Sequence, residues 1–272
     1  MSESLDRLKK FLVPYCEKGI VLGFSGGVDS TLLLAVLAQI RKENDFPFLA
    51  VMMKSAFQQE EECREAEMTA IEFNVPFYLL EYDPLSIPEV KQNSRLRCYY
   101  CKKYFFTRIL SFAGEHEIKY VFDGTNADDL TKYRPGQKAI RELGICSPLA
   151  ECGFSKMEIR ALSRELGLHT AEKPASPCLA TRFAYDMELT GEKLRLISTG
   201  ETLIRKKISG EAEIRLRLEP ECARIEISPE KISELLEQKE RLFRELSELG
   251  LENISIDPQG YRSGSFDNFS VS

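Results

Sequence analysis

Four short stretches of this chain carry residue types that do chemistry rather than only pack. The first is Ser25-Gly26-Gly27-Val28-Asp29-Ser30. Adjacent glycines let a backbone approach a ligand closely and take positive φ, and Ser25 and Ser30 add hydroxyl donors. A helix starting here points its unpaired N–H groups into the same hollow, with roughly half a positive charge from its dipole. Such a nest holds an anion. The second stretch is Cys98-Tyr99-Tyr100-Cys101-Lys102, whose C-x-x-C spacing lets two thiolates meet one metal centre or pair as a redox disulfide. The third is Pro177-Cys178-Leu179-Ala180-Thr181-Arg182, a Pro-flanked loop bearing one thiol. The fourth is Asp123-Gly124-Thr125-Asn126-Ala127-Asp128-Asp129. Its carboxylates could hold Mg²⁺ between phosphate oxygens; the same composition also makes an ordinary Asp/Asn-rich turn.

The elements that must position these stretches can be read from periodicity. The apolar run Ile20-Val21-Leu22 ends at Gly23-Phe24, and Leu32, Leu33, Val36, Leu37 and Ile40 then recur at helical spacing, so the order is strand, turn, helix. Further strands are expected at 48–53, 76–80 and 119–123, with a shorter one at 145–149, and helices at 58–73, 99–112 and 155–166. The last begins with the capping box Ser155-Lys156-Met157-Glu158 and ends before Gly167. Alternation of this kind makes a doubly wound parallel α/β sheet, with ligands outside the carboxyl ends of its strands. Both the Ser25–Ser30 loop and the Asp123–Asp129 loop fall at that rim. Lys54, just past the second strand, either reaches the same ligand or is a solvated surface lysine.

Beyond Lys173-Pro174-Ala175-Ser176-Pro177 the pattern changes to helix, strand, strand, helix, strand. Residues 212–218 alternate, with Ile214, Leu216 and Leu218 on one face and Glu213, Arg215 and Arg217 on the other. Residues 224–227 can pair with them. A long helix striped by Ile232, Leu235, Leu236, Leu242, Phe243, Leu246 and Leu249 starts at Ser228-Pro229 and closes at Gly250, before a last strand at 253–257. The expected division is a nucleotide-handling α/β domain over 1–186 and a small α+β domain over 187–272.

Bulk properties narrow the class. The 272 residues suit one large or two modest domains, and a net charge of −6 gives no general basic face for nucleic acid or an anionic membrane. No apolar run approaches a spanning helix and no signal-peptide core is present, so the expected location is cytoplasmic. Eight cysteines in a reducing compartment are fillers, metal ligands or reactive thiols rather than a disulfide framework. Cys98, Cys101 and Cys178 could hold three irons of a 4Fe–4S cluster and leave the fourth open. Zinc fits less naturally, because its structural sites want four ligands and only His116 and His169 stand outside the cysteines. The bland reading is three buried thiols. Cys16, Cys63, Cys146, Cys152 and Cys222 show no comparable spacing and are assigned to packing.

The order S-G-G-x-D-S differs from the G-x-x-x-x-G-K-S/T phosphate loop, since no Lys follows the glycines. It resembles the pyrophosphate loop of the adenylating PP-loop enzymes, or N-type ATP pyrophosphatases. That resemblance implies ATP split into AMP and pyrophosphate, with Gly23, Phe24, Ser25, Gly26, Gly27, Asp29, Ser30, Lys54, Gly124, Thr125 and Asn126 around ATP and Asp29 and Asp128 as candidate Mg²⁺ ligands. The loop, the Cys98–Lys102 stretch, Asp123–Asp129 with Arg134-Pro135-Gly136, the Pro177–Arg182 stretch and Gly260-Tyr261-Arg262-Ser263-Gly264-Ser265 together resemble the ATP-dependent sulfur transferases of the LarE type, which serve nickel-pincer cofactor synthesis.

This resemblance implies adenylylation of a ring carboxylate on a pyridinium dicarboxylate mononucleotide, then displacement of AMP by a sulfur nucleophile to give a thiocarboxylate. The family draws sulfur either from a lone cysteine matching Cys178, which is spent, or from a three-cysteine 4Fe–4S cluster recharged by a sulfide donor. Cys98 and Cys101 accompany Cys178 here and favour the cluster. An anionic nucleotide needs cationic hosts, for which Arg182, Arg215, Arg217 and Arg262 are the candidates; Glu201 and Glu226 are candidates for ribose hydroxyls or a metal. The family also suggests a homo-oligomer. Competing readings are a cluster-dependent tRNA thiolase, which would need a basic RNA-binding face, an amide-forming synthetase of the NAD or GMP type, and a nucleotide sensor without chemistry.

Overall fold

The computed structural model describes residues 2–131, 134–210 and 212–262. These form two compact units, one of residues 1–83 and 96–176, the other of residues 84–95 and 177 onward. The boundary expected at 186 lies inside the second span, and a short segment from the middle of the chain joins that unit.

The first unit opens with α1 (Glu3–Cys16), whose N-cap Ser2 hydroxyl accepts from the Leu5 amide and whose Leu5, Leu8, Leu12 and Cys16 form the buried stripe. Then come β1 (Ile20–Gly23), α2 (Val28–Glu43), β2 (Phe48–Lys54), α3 (Glu60–Glu72) and β3 (Phe77–Glu81). After α4 (Pro88–Lys91), which belongs to the second unit, follow α5 (Arg97–Glu115), β4 (Tyr120–Phe122), α6 (Ala127–Leu130), α7 (Gly136–Glu142), α8 (Pro148–Glu151) and α9 (Lys156–Glu165). All strand pairs of this sheet are parallel, in the order β3-β2-β1-β4.

Alternating side chains of the central strands feed two cores. Ile20, Leu22, Ala50, Met52 and Phe122 pack with the stripes of α1, α2 and α9, while Val21, Val51, Met53 and Val121 pack with Phe106, Ile109 and Phe112 of α5. Helices therefore cover both faces, as a doubly wound sheet requires. The chain builds outward from β1 to β3, then returns to place β4 on the other side of β1. That reversal makes the crevice beyond the ends of β1 and β4 the topological switch point.

Two expected elements differ. Residues 145–149 form no strand: a single parallel bridge joins Phe122 to Cys146, and Pro148, which lacks an N–H for a ladder, starts α8 instead. The long helix from Ser228 is broken into a 3₁₀ turn at Pro229–Lys231, α11 (Ile232–Glu237) and α12 (Lys239–Glu248), with Gln238 off helical geometry at φ −108° and ψ 9°.

In the second unit α10 (Gly191–Arg205) precedes β5 (Ile214–Leu218), β6 (Ala223–Ile227), α11, α12 and β7 (Ile254–Ile256). The sheet runs β5-β6-β7, with β5–β6 antiparallel and β6–β7 parallel. Both faces of β5 are buried, Arg215 and Arg217 as well as Ile214 and Leu216. Among the described residues, no helix is long and apolar enough to cross a membrane.

Candidate active site

The hollow after β1 is built by its own side chains. The Ser25 and Ser30 hydroxyls lie 3.1 Å apart. Ser30 Oγ accepts from the Ser25 amide at 3.3 Å and donates to the Gly27 carbonyl at 3.2 Å. The two glycines are not equivalent. Gly26 sits at φ +67°, and a Cβ there would lie 3.1 Å from Ala66 Cβ and 3.3 Å from Ala66 Cα on α3. Gly27, the N-cap of α2, has φ −83°, so positive φ is needed at Gly26 alone. Gly23 ends β1 where a Cβ would come within 3.2 Å of the Phe106 ring, and the Phe24 side chain is buried in the core. Lys54 ends β2, half-buried, with its charge near Cys63.

The second loop is held against the first. A Cβ on Gly124 would stand 3.2 Å from the Ser30 amide, and Asn126 Nδ2 donates to Asp29 Oδ1 at 3.4 Å. Asn126 also caps α6 by accepting from the Asp129 amide. Buried Asp123 pins the turn, accepting from Thr125 Oγ1 at 2.5 Å and Ser147 Oγ at 2.6 Å. The Thr125 carbonyl accepts from the Ala150 amide, so the short α8 braces this loop.

Two lysines that sequence reasoning did not nominate reach the same loops. Lys156 donates from Nζ to Asp29 Oδ2 at 2.6 Å and from its amide to Asp128 Oδ2 at 2.9 Å. Lys173 donates from Nζ to the Gly26 carbonyl at 3.1 Å and to Glu65 Oε2 at 2.8 Å. Lys156 carried a legible signal: a basic residue at the first position of a helix opposes the dipole and needs acidic company. Lys173 carried none. Of the two expected Mg²⁺ ligands, Asp29 thus has the Lys156 ammonium as its cation, while Asp128 accepts from the Lys156 backbone amide.

Cys98 and Cys101 lie three positions apart in the first turns of α5, both half-buried. The Tyr82 hydroxyl is 3.2 Å from Cys101 Sγ. Gly136 lets α7 settle on this turn, since a Cβ there would be 2.7 Å from Lys102 Cδ and 3.2 Å from the Cys98 carbonyl. Lys102 Nζ in turn stands 4.0 Å from Asp123 Oδ2. All eight cysteines lie among the described residues and none is in a disulfide. Burial pushes the Cys16 thiol up to about 11 and also raises Cys63, Cys146, Cys152 and Cys222, which suits the packing role assigned to these five.

Cys178 belongs to the second unit, where it precedes a 3₁₀ turn over Leu179–Arg182. Its carbonyl accepts from Thr181 Oγ1 at 2.8 Å and Arg182 Nη1 at 3.3 Å. The rest of the Arg182 guanidinium is spent on Glu201, at 2.9 and 3.2 Å, and on the Pro177 carbonyl at 2.5 Å. Buried Arg217 donates to buried Glu226 Oε2 and to the Thr181 carbonyl. Arg215 pairs with Glu213 at 2.9 Å and lies 4.9 Å over the Tyr261 ring; burial, helped by nearby Arg182, lowers its pKa. Glu201 and Glu226 are therefore the counter-ions of the arginines. Arg262 is exposed and 3.4 Å from Asp257, and the expected Ser263, Gly264 and Ser265 lie outside the described residues. Among the described residues, no three His, Cys, Asp or Glu side chains gather so as to hold a metal ion.

A nest of amides and hydroxyls at the switch point of a parallel sheet is the geometry of a polyphosphate site, and comparison with known proteins agrees. The family described as PP-loop domain matches residues 1–93. The chain is 36% identical over 246 residues to slr1717 of Synechocystis sp., covering 90% of each chain. It is 34% identical over 245 residues to the pyridinium-3,5-bisthiocarboxylic acid mononucleotide synthase of Lactiplantibacillus plantarum, covering 90% of this chain and 87% of that one. The chain belongs to the PP-loop family. The tRNA-specific 2-thiouridylase MnmA of Clostridium acetobutylicum is a more distant PP-loop relative, 24% identical over 58% of this chain and 54% of that one. The protein is thus an ATP-utilising PP-loop enzyme related to adenylylating and sulfur-transferring enzymes.

Proposed function

We propose that this chain is an ATP-dependent sulfur transferase that converts a carboxylate of a pyridinium dicarboxylate mononucleotide to a thiocarboxylate. The observation that carries the reading is the Ser25–Ser30 nest at the switch point, braced by Asn126. The likeness over 90% of the chain to a mononucleotide bisthiocarboxylate synthase supports the substrate class.

Chemically, a carboxylate oxygen attacks the α-phosphorus of ATP and the bond to the β-phosphoryl oxygen breaks, giving an acyl adenylate and pyrophosphate. The nest's amides and the Ser25 and Ser30 hydroxyls are placed to receive the charge that develops on the leaving group. A thiolate then attacks the acyl carbon and AMP leaves with the former carboxylate oxygen. A bare carboxylate would not accept a thiolate, whereas an acyl phosphate carries a good leaving group.

The sulfur source has two versions. A 4Fe–4S cluster held by Cys98, Cys101 and Cys178 would supply a recharged sulfide, and the company of Cys98 and Cys101, in the first turns of α5, supports this version. Cys178 as direct donor needs only its own loop, which Arg182 and Glu201 hold in shape. There the thioester to Cys178 loses the Cα proton to a base, the Cβ–S bond breaks, and the residue becomes dehydroalanine while the product keeps the sulfur.

The test combines anaerobically prepared protein with ATP and the mononucleotide. AMP and pyrophosphate in equal amounts, with one oxygen of the substrate replaced by sulfur, support the reading; ATP left intact in the presence of substrate refutes it. Iron-free protein whose Cys178 loses the mass of H₂S supports the sacrificial version. Iron and acid-labile sulfide, with repeated turnover on added sulfide, support the cluster version.

A further inference from the structure

Lys156 sits where three loops meet at the sheet rim, and nothing in the fold alone requires its charge there. Its ammonium lies 2.6 Å from Asp29 Oδ2, in the first turn of α2, while its amide is fixed on Asp128 Oδ2. The side chain of Lys156 is 34% exposed and that of Asp29 21%, so the pair faces the crevice rather than the core. A solvent-facing ion pair adds little to folding, typically about 0–1 kcal/mol. The carboxylate is also awkward where it is, because it competes with an anionic ligand for the nest that Ser25, Ser30 and the start of α2 provide.

We propose that Lys156 is a phosphate-binding residue of the PP-loop site, with Asp29 serving as its counter-ion until a polyphosphate displaces the carboxylate. The inference rests on the ATP reading of the Ser25–Ser30 nest. In it, the capping box Ser155–Glu158 anchors the start of α9, and the Lys156 amide bond to Asp128 fixes the backbone from which the ammonium swings. Only the terminal bonds of a flexible side chain need to rotate for the cation to leave Asp29 for a phosphoryl oxygen. The charge gained at the nest meets the pyrophosphate end of the nucleotide, where negative charge accumulates as the α–β bond breaks. The class of ligand recognised by this ammonium is therefore inorganic pyrophosphate and the β,γ end of a nucleoside triphosphate, not AMP.

The experiment is calorimetric titration of the full chain with inorganic pyrophosphate and, separately, with AMP, without divalent metal and at low salt. Lys156→Met is expected to weaken pyrophosphate binding by about tenfold or more, the worth of one charge-assisted hydrogen bond, and to leave AMP within about twofold. Lys156→Arg should retain pyrophosphate binding. Asp29→Asn should bind it at least as tightly as the unaltered chain, because the competing carboxylate is gone. Pyrophosphate binding by Lys156→Met equal to that of the unaltered chain would overturn the proposal. So would an Asp29→Asn chain that binds pyrophosphate more weakly, and this arm decides alone if Lys156→Met does not fold. An unaltered chain that binds neither pyrophosphate nor AMP would instead remove the ATP reading beneath it.

Discussion

Replacing Gly26 and Gly27 separately by alanine separates two glycines that are indistinguishable in the sequence. At Gly26 the φ of +67° is left-handed, which costs an L-residue about 1–2 kcal/mol. The new methyl would also press on Ala66, at 3.1 Å from its Cβ and 3.3 Å from its Cα. Ala66 is fully buried on α3, so little there can yield, and overpacking of this kind adds about 1–3 kcal/mol. Gly26→Ala should therefore lose roughly 2–5 kcal/mol of stability. At Gly27 the φ is −83° and the methyl would meet only Ser25 Oγ, at 3.4 Å, so stability should change by no more than about 0.5 kcal/mol. Urea denaturation at constant m-value measures both. Substrate-dependent pyrophosphate release should fall in both variants, in Gly26→Ala because the loop moves and in Gly27→Ala because a methyl enters the hollow. Equal stability losses for the two, or a loss at Gly26 below about 0.5 kcal/mol, would refute the reasoning.

Two further outcomes follow from buried groups. Burial raises the Cys16 thiol to about 11 from an ordinary 9.0. Its contribution is whole below about pH 9 and is lost as pH rises through 11, up to about 2–3 kcal/mol in all; alkaline denaturation of Cys16→Val should lack that part of the slope, and an unchanged slope would exclude the thiol as its source. Arg182→Met leaves Glu201 buried without its guanidinium, which should cost about 3–5 kcal/mol, whereas Arg262→Met removes an exposed guanidinium from Asp257, which keeps Arg224, and should stay within about 0.5 kcal/mol; thermal melting of both variants checks the contrast.

The parallel sheet and the anion nest were legible because they rest on local rules: an apolar run, glycines, and helical spacing from Leu32 to Ile40 specify strand, turn and helix with no help from distant residues. The capping box at Ser155 likewise marked α9. What was not legible depends on packing across the chain. Residues 145–149 read as a strand by apolar content, but Pro148 turns them into α8, and their job is to brace Thr125 through Ala150. The alternation of β5 was read correctly as two faces, yet the arginine face is buried because Glu226, the Thr181 carbonyl and Tyr261 wait for it. The charge of Lys156 at the start of α9 signals a need for acidic company, but which carboxylate meets it, 127 positions away, leaves no trace in spacing.

The central claim, that ATP activates a carboxylate by adenylylation in this PP-loop enzyme, is tested most directly by following oxygen. Mononucleotide substrate with heavy oxygen in its ring carboxylates is given to the enzyme with unlabelled ATP, and the nucleotide and phosphate products are weighed by mass spectrometry. The account predicts one heavy oxygen in each AMP formed and none in pyrophosphate. Label appearing in inorganic phosphate, with ADP as the nucleotide product, would contradict it.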